Sequence, residues 1–353
     1  MVAVKACLLR RPGPIHSRPL LLEEVPEPIP GPSEIRVRVS ACGICRTDLH
    51  VVEGDLKSPE LPLVPGHQVV GVVDQRGDGA ERFEAGDRVG IAWLGRTCGS
   101  CAYCRSQREN LCRSSRYTGY HLHGGYAEGT VVHQDFAYPI PTEFGDAEAA
   151  PLLCAGIIGY RALARAEVPP GGRVMLVGFG SSAHMVIQLA QHRGHEVYVV
   201  TRGAEHRELA DRMGARWVGK PGETPPDEMH SAIVFAPAGE VVPDALEAVG
   251  PGGTVALAGI HMSDIPALDY EKHLFHEKRL QSVEANTRVD GNGLLKEAAE
   301  AGIRPYVTRF GLAEANEALI ALKEDAINGS GVLVLRNDGD PLPIVPPRSL
   351  ETG

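Results

Sequence analysis

The sequence contains no unbroken apolar run near the roughly 20 residues a membrane-crossing helix needs, and no basic-then-apolar leader opens it. A cytoplasmic protein without membrane partners is expected. Positive charge is also short: Lys and Arg total 35 against 45 Asp and Glu, a formal charge of −10. Such a surface repels phosphates, and no local basic cluster offsets it, so nucleic acid is excluded as an expected partner. Aromatic residues are scarce, at 5% with Trp numbering 2, and no internal repeat is visible. Even so, 43% hydrophobic residues, 41 Gly and 27 Pro describe a turn-rich globular chain. Its 353 residues suffice for two domains of about 100–200 residues each.

Cysteine is not scarce. Eight cysteines without an export signal favour metal ligation over disulfides. Four lie in Cys98-Gly-Ser-Cys101-Ala-Tyr-Cys104-Arg-Ser-Gln-Arg-Glu-Asn-Leu-Cys112. Two-residue gaps turn successive thiolates toward one centre, and the longer return to Cys112 closes a tetrahedral cage. Four protein ligands leave no open position, so a zinc ion there is structural; a pair of disulfides or chance clustering is the alternative.

The first part of the chain reads as β-rich. Glu34–Ser40 alternates apolar and charged residues, and short strands are expected at Val69–Val73 and Asp87–Ile91. This suits a small, partly closed β-barrel with long loops. From Arg173 the texture changes to strand–helix alternation: strands at Arg173–Gly178, Glu196–Val200, Ala232–Ala236, Thr254–Ala258 and Leu280–Glu284, with helices at Ser181–His192 and Glu205–Met213. Such alternation implies a parallel sheet covered on both faces. Helices near Leu294–Ala301 and Leu312–Lys323 and a strand at Val332–Leu335 are expected to rejoin the first domain. The division is thus 1–155 with 290–340 for one domain, 156–289 for the other, and 341–353 as a loose, proline-rich tail.

Val174-Met-Leu-Val-Gly178-Phe-Gly180-Ser181-Ser182-Ala183 is an apolar strand entering a glycine turn and then a helix. Gly178 permits the tight turn, Gly180 lets the backbone approach a pyrophosphate, and Ala183 is small enough for helix–strand packing. The free N–H groups at the start of the helix suit the phosphates. An acidic residue ending the next strand, roughly 20 residues on, would hold the ribose 2′-hydroxyl of NAD. Thr201-Arg202 stands there instead. A guanidinium pairs well with a 2′-phosphate, so NADP(H) is favoured, with NAD(H) the alternative.

Three separated places offer soft or imidazole donors: Cys42-Gly-Ile-Cys45-Arg46-Thr47-Asp48-Leu49-His50, then Gly66-His67-Gln68, then Leu153-Cys154-Ala155-Gly156. Three protein ligands and one open position make a catalytic zinc site. In this order, and with the cysteine lobe and glycine turn, the chain resembles the zinc-dependent alcohol dehydrogenases of the medium-chain dehydrogenase/reductase family over nearly its whole length. The resemblance implies a GroES-like catalytic domain plus a Rossmann domain and two zinc ions per chain. It also implies a small primary alcohol or aldehyde as substrate, and a dimer or tetramer.

By position, it makes Cys45, His67 and Cys154 the catalytic zinc ligands and leaves Cys42 a structural or spare thiol. Thr47 matches the hydroxyl that meets the substrate oxygen, His50 the outer end of a proton relay, and Asp48 the carboxylate behind the ligand histidine. Arg46 matches a position near the cofactor pyrophosphate. Trp93 matches a bulky residue that narrows the pocket, and Tyr120 is a second candidate for its lining. Two positions depart from the pattern: Gln68 where a glutamate is common, and Ser181 where many relatives carry glycine. Among the rivals, a polyol-type dehydrogenase is disfavoured by Cys154, where those enzymes usually carry a carboxylate, and a zinc-free quinone reductase by the intact ligands. A cofactor-binding protein without turnover is disfavoured by the retention of Thr47, Asp48 and His50.

Overall fold

The longest strand of the first domain, Glu34–Gly43, turns Ile35, Val37 and Val39 inward, while Arg36 bonds Asp74 on its outer side at 2.8 Å. This alternation continues to Val39; beyond it every residue through Gly43 is buried. A register shift between Val39 and Ala41 lies on its pairing with Gln68–Arg76, and such irregularities bend a strand. Gly129–His133 pairs on the other side, and Arg88–Ile91 and Ala137–Pro139 extend the sheet. The computed structural model describes residues 2–56 and 59–335. The tail expected over 341–353, and the stretch 336–340, lie outside them.

The chain returns to this sheet late. Ser330–Val334 pairs antiparallel with Ala41–Gly43, and Val307–Gly311 lies parallel beside it, a strand not anticipated from the sequence. The expected helix Leu312–Lys323 begins with a 3-10 turn, Leu312–Glu314, and continues as Ala315–Lys323.

Between these segments lies a six-stranded parallel sheet. Its strands are Arg173–Val177, Glu196–Val200, Trp217–Gly219, Met229–Val234, Val249–Leu257 and Arg279–Ser282. They stand in spatial order third, second, first, fourth, fifth, sixth, the Rossmann arrangement. Alternate side chains enter different cores. Val174, Leu176, Val197 and Val199 face one cluster, and Met175, Val177, Tyr198 and Val200 the other. Burial on both faces is why these strands read as continuous apolar runs.

Asp146–Ala166 joins the two parts as one helical stretch of 21 residues, and the boundary expected at 155/156 falls inside it. It has the length and apolarity of a membrane span, but 72% of its apolar window is buried inside the protein. Its alanines share a core cluster with Val174, Leu176 and Val186, so it is a core helix that ties the domains together.

Candidate active site

Cys45 caps the N-terminus of helix Arg46–Glu53. Its sulfur accepts from the Thr47 amide at 3.2 Å, and its own amide donates to Asp48 Oδ2 at 2.9 Å. A thiolate at a helix start is favoured by the unpaired N–H groups and the dipole there. His67 enters from the loop before strand Gln68–Arg76 and is fully buried. Gly66 makes that entry possible: its φ is +94°, and a Cβ there would overlap the Tyr126 ring. Asp48 Oδ1 lies 2.8 Å from His67 Nδ1, and Tyr126 donates its hydroxyl to Asp48 Oδ2 at 3.2 Å. Held at Nδ1, His67 presents Nε2 to Cys45 Sγ, 3.5 Å away.

Cys154 comes from the helix joining the domains, at a π-turn over Leu152–Gly156. Pro151 precedes that turn and has no N–H to donate back along the helix. Single π-turns of this kind often accompany functional sites. The donor atoms that Cys45, His67 and Cys154 could offer a metal all lie within 4.8 Å of one another.

The electrostatics of the three are coupled. A hydrogen bond from Cys154, with His67 beside it, holds the Cys45 thiol well below its usual range although burial opposes this. Burial alone would lower His67, but the Asp48 carboxylate and the Cys45 sulfur outweigh it and raise the imidazole to about 10. Burial pushes the Asp48 carboxyl up, against the pull of His67. A proton on His67 thus bridges negative groups at the place where a cation would sit.

The donor geometry can be tested against zinc. Bonds of about 2.3 Å to sulfur and about 2.0–2.1 Å to nitrogen give a tetrahedral S···N edge of about 3.5 Å. The Cys45–His67 separation is 3.5 Å. Sulfur–sulfur edges come to about 3.8 Å on the same basis. In the lobe, Cys98–Cys104, Cys101–Cys104 and Cys98–Cys112 stand 3.8, 3.5 and 3.6 Å apart. A disulfide would need about 2.05 Å, and all eight cysteines are free. Both clusters therefore fit a tetrahedral thiophilic ion.

At the glycine turn, Gly178 has φ +90°, and a Cβ would come within 2.9 Å of the Ala236 amide nitrogen. Gly180 faces open space, with nothing within 4 Å of a Cβ built there. The following helix is Ala183–His192, two residues later than expected, and the preceding Ser182 makes no side-chain capping bond to it. The Ser181 hydroxyl is tied to Ser330 Oγ at 2.6 Å, which links the turn to the catalytic sheet. At the end of the second strand Thr201 is buried and Arg202 exposed. Arg207 donates to the carbonyls of both.

The comparisons with known proteins agree with this architecture. The family described as alcohol dehydrogenase GroES-like domain matches residues 31–142, and that described as zinc-binding dehydrogenase matches 182–300. The chain is 49% identical over 338 residues to the protein named probable alcohol dehydrogenase AdhA of Mycobacterium tuberculosis, covering 94% of this chain and 97% of that one. It is 35% identical over 325 residues to an alcohol dehydrogenase of Geobacillus stearothermophilus, covering 90% and 96%. It belongs to the zinc-type, medium-chain alcohol dehydrogenases. Among solved structures, acetophenone reductase from Geotrichum candidum in complex with NAD superposes with a TM-score of 0.84 at 25% identity, over 94% and 97% of the two chains.

Around the three donors of this alcohol dehydrogenase stands an aromatic wall. Trp93 meets His67 edge-on, with ring centres 4.9 Å apart, and stacks on Tyr117 at 4.9 Å and Tyr120 at 5.9 Å. Tyr117 was not singled out from the sequence, because nothing local distinguishes it from a lobe residue. Thr47 is buried and His50 lies one turn further along the same helix. His50 Nδ1 is 2.8 Å from Asp55 Oδ2, and its ring is 5.2 Å from that of His261. Arg46 is exposed and meets Asp325 at 3.5 Å. Gln68 is 1% exposed, and its amide oxygen has no hydrogen-bond partner among the described residues. Tyr126, His261 and Arg207 also escaped the sequence reading; only the fold brings them to the site.

Proposed function

We propose that this alcohol dehydrogenase interconverts small primary alcohols and aldehydes, with one zinc ion held by Cys45, His67 and Cys154 and a second by Cys98, Cys101, Cys104 and Cys112. The observation that carries the reading is the convergence of three donors beside Thr47, with Asp48 fixing the tautomer of His67. When bound, zinc would act as a Lewis acid on the substrate oxygen and the nicotinamide would carry the hydride.

The chain's own groups do the rest. Cys45, His67 and Cys154 supply three donors, which leaves a tetrahedral ion one position for substrate. Asp48 holds the His67 proton on Nδ1 so that the Nε2 lone pair is free. Thr47 offers its hydroxyl to the substrate oxygen, and His50, three residues on along the same helix face, receives the proton. The partly exposed His50 passes it to water near Asp55. Imidazole suits that step because one ring nitrogen can accept a proton while the other donates one. Gly178, Gly180, Ser181, Ser182 and Ala183 offer backbone to the pyrophosphate, with Arg46 near it.

NADP(H) is the cofactor we assign. Arg202 is exposed at the strand end where an acid would mark NAD, and the helix-borne Arg207 adds a second guanidinium there. Trp93 and Tyr120 would keep the substrate short. Thiolate ligands need a reducing compartment, which supports a cytoplasmic location. The edge strand Arg279–Ser282 pairs on one side only among the described residues and is our choice for the contact in a homo-oligomer.

The test is the initial rate of propanal reduction with NADPH and with NADH, alongside zinc content per chain. Two zinc ions, a preference for NADPH and a folded but inactive Cys45→Ser variant are expected. An active Cys45→Ser enzyme would sink the catalytic assignment.

A further inference from the structure

The four-cysteine lobe touches more than itself. Glu109 and Asn110 form the 3-10 turn immediately before Cys112, and they are 2% and 1% exposed. Neither points back into the lobe. Asn110 Nδ2 donates to the Glu284 carbonyl at 2.9 Å. Glu109 Oε1 accepts from the Arg288 amide at 2.9 Å and from its guanidinium at 3.2 Å. Those partners bracket residues 284–288, where the chain leaves the last parallel strand for helix Arg288–Glu300 and crosses between domains.

That crossing is bent in an unfavourable way. Ala285 has φ +43°, in the left-handed region that a side-chain-bearing residue rarely adopts. Other bonds fix the far side: Asn286 donates to the Tyr138 hydroxyl at 3.1 Å, and Asp290 accepts from Thr287 and from Arg161 at 2.7 Å. Burial first, and the Glu284 carboxylate next, push the Tyr117 hydroxyl up. Tyr117 is the ring stacked on Trp93.

We propose that the lobe is a positioning device for the domain junction: closure of the chain at Cys112 sets Glu109 and Asn110, which hold 284–288 in its left-handed bend. This rests on the reading of the lobe as a metal site and goes beyond holding a loop together. A buried carboxylate needs a charged, hydrogen-bonded partner, and among the described residues Arg288 fills that place for Glu109.

Amide hydrogen exchange on the full-length, zinc-loaded protein tests it, with the Arg288 amide as reporter. Asn110→Ala and Glu109→Ala should speed exchange in peptides covering 283–290 about fivefold or more, the factor for one lost hydrogen bond. Peptides covering 173–177 and the zinc content should stay at parental values. Glu109→Gln keeps an acceptor for the Arg288 amide and should restore most of the protection. Cys101→Ser should loosen 283–290 as well as the lobe. Unchanged exchange at 283–290 in Asn110→Ala, or in Cys101→Ser with a loosened lobe, would overturn the proposal. So would a uniform rise across the whole chain. If Glu109→Ala does not fold, Asn110→Ala decides alone. None of these readouts depends on substrate or cofactor, so an error in the proposed reaction leaves the test intact. A lobe that takes up no zinc would fail the metal reading separately.

Discussion

Replacing Asp48 by Asn should disable the three-donor site while leaving the fold in place. Asp48 is 1% exposed and accepts three bonds, from the Cys45 amide at 2.9 Å, the Tyr126 hydroxyl at 3.2 Å and His67 Nδ1 at 2.8 Å. An amide has one oxygen to offer where the carboxylate had two. With that oxygen toward Cys45 and Tyr126, its NH₂ faces His67. The imidazole must then accept at Nδ1 and carry its proton on Nε2, which blocks the lone pair a metal needs. Flipped the other way, the NH₂ meets the Cys45 N–H, and a buried unsatisfied donor costs about 1–3 kcal/mol. Either arrangement supports a loss near the upper end of the 10–100-fold range for removing a partner behind a ligand histidine, about 2.8 kcal/mol. Competition with a fluorescent chelator would measure it, with circular dichroism confirming the fold. An Asp48→Asn protein that binds zinc within about threefold of the parent would refute the tautomer argument.

Other variants address separate features. His184 is fully buried, accepts from the Tyr306 amide at 3.2 Å, and burial depresses its pKa to about 4. Its unfolded form, near pH 6.5, binds the proton more readily, so stability is full above about pH 6.5 and lost as pH falls toward 4. The lowered pKa is worth on the order of 3 kcal/mol between those limits. In His184→Gln, thermal midpoints measured from pH 7 to 4.5 should show a flatter acid limb; an unchanged slope would dismiss His184 as its source. Arg202→Ala should reduce the NADPH-to-NADH ratio of kcat/KM at least tenfold, the scale of one lost charged pair, and an unaltered ratio would remove Arg202 from cofactor choice. Trp93→Ala should raise kcat/KM for benzaldehyde relative to propanal, unless Trp93 is only packing.

The sequence could decide what depends on neighbours along the chain. The lobe's four thiols span 15 positions, from Cys98 to Cys112, so their spacing alone brings them together. Gly178 and Gly180 follow a strand and precede a helix, and the parallel strands announce themselves because both faces are buried. Family membership was legible for the same reason, since its motifs are short and ordered. Helix starts were less so: Ser181 resembles a first helical residue until its hydroxyl is seen bound to Ser330, 149 positions away.

Tertiary structure decided which distant groups meet, and the resemblance to a family, not any local pattern, let the sequence name Cys45, His67 and Cys154 together. Cys45 precedes a short helix, His67 a strand, and Cys154 lies in a π-turn of the helix that crosses the domain boundary. Nothing local to any of them specifies the other two. Tyr126 behind Asp48, Tyr306 on His184, Arg207 at the strand end and Glu109 on Arg288 are likewise products of packing. Sequence patterns carry periods of two or about 3.6 residues and fixed ligand spacings. Contacts across a hundred residues are set only when apolar faces bury one another and buried polar groups must find partners.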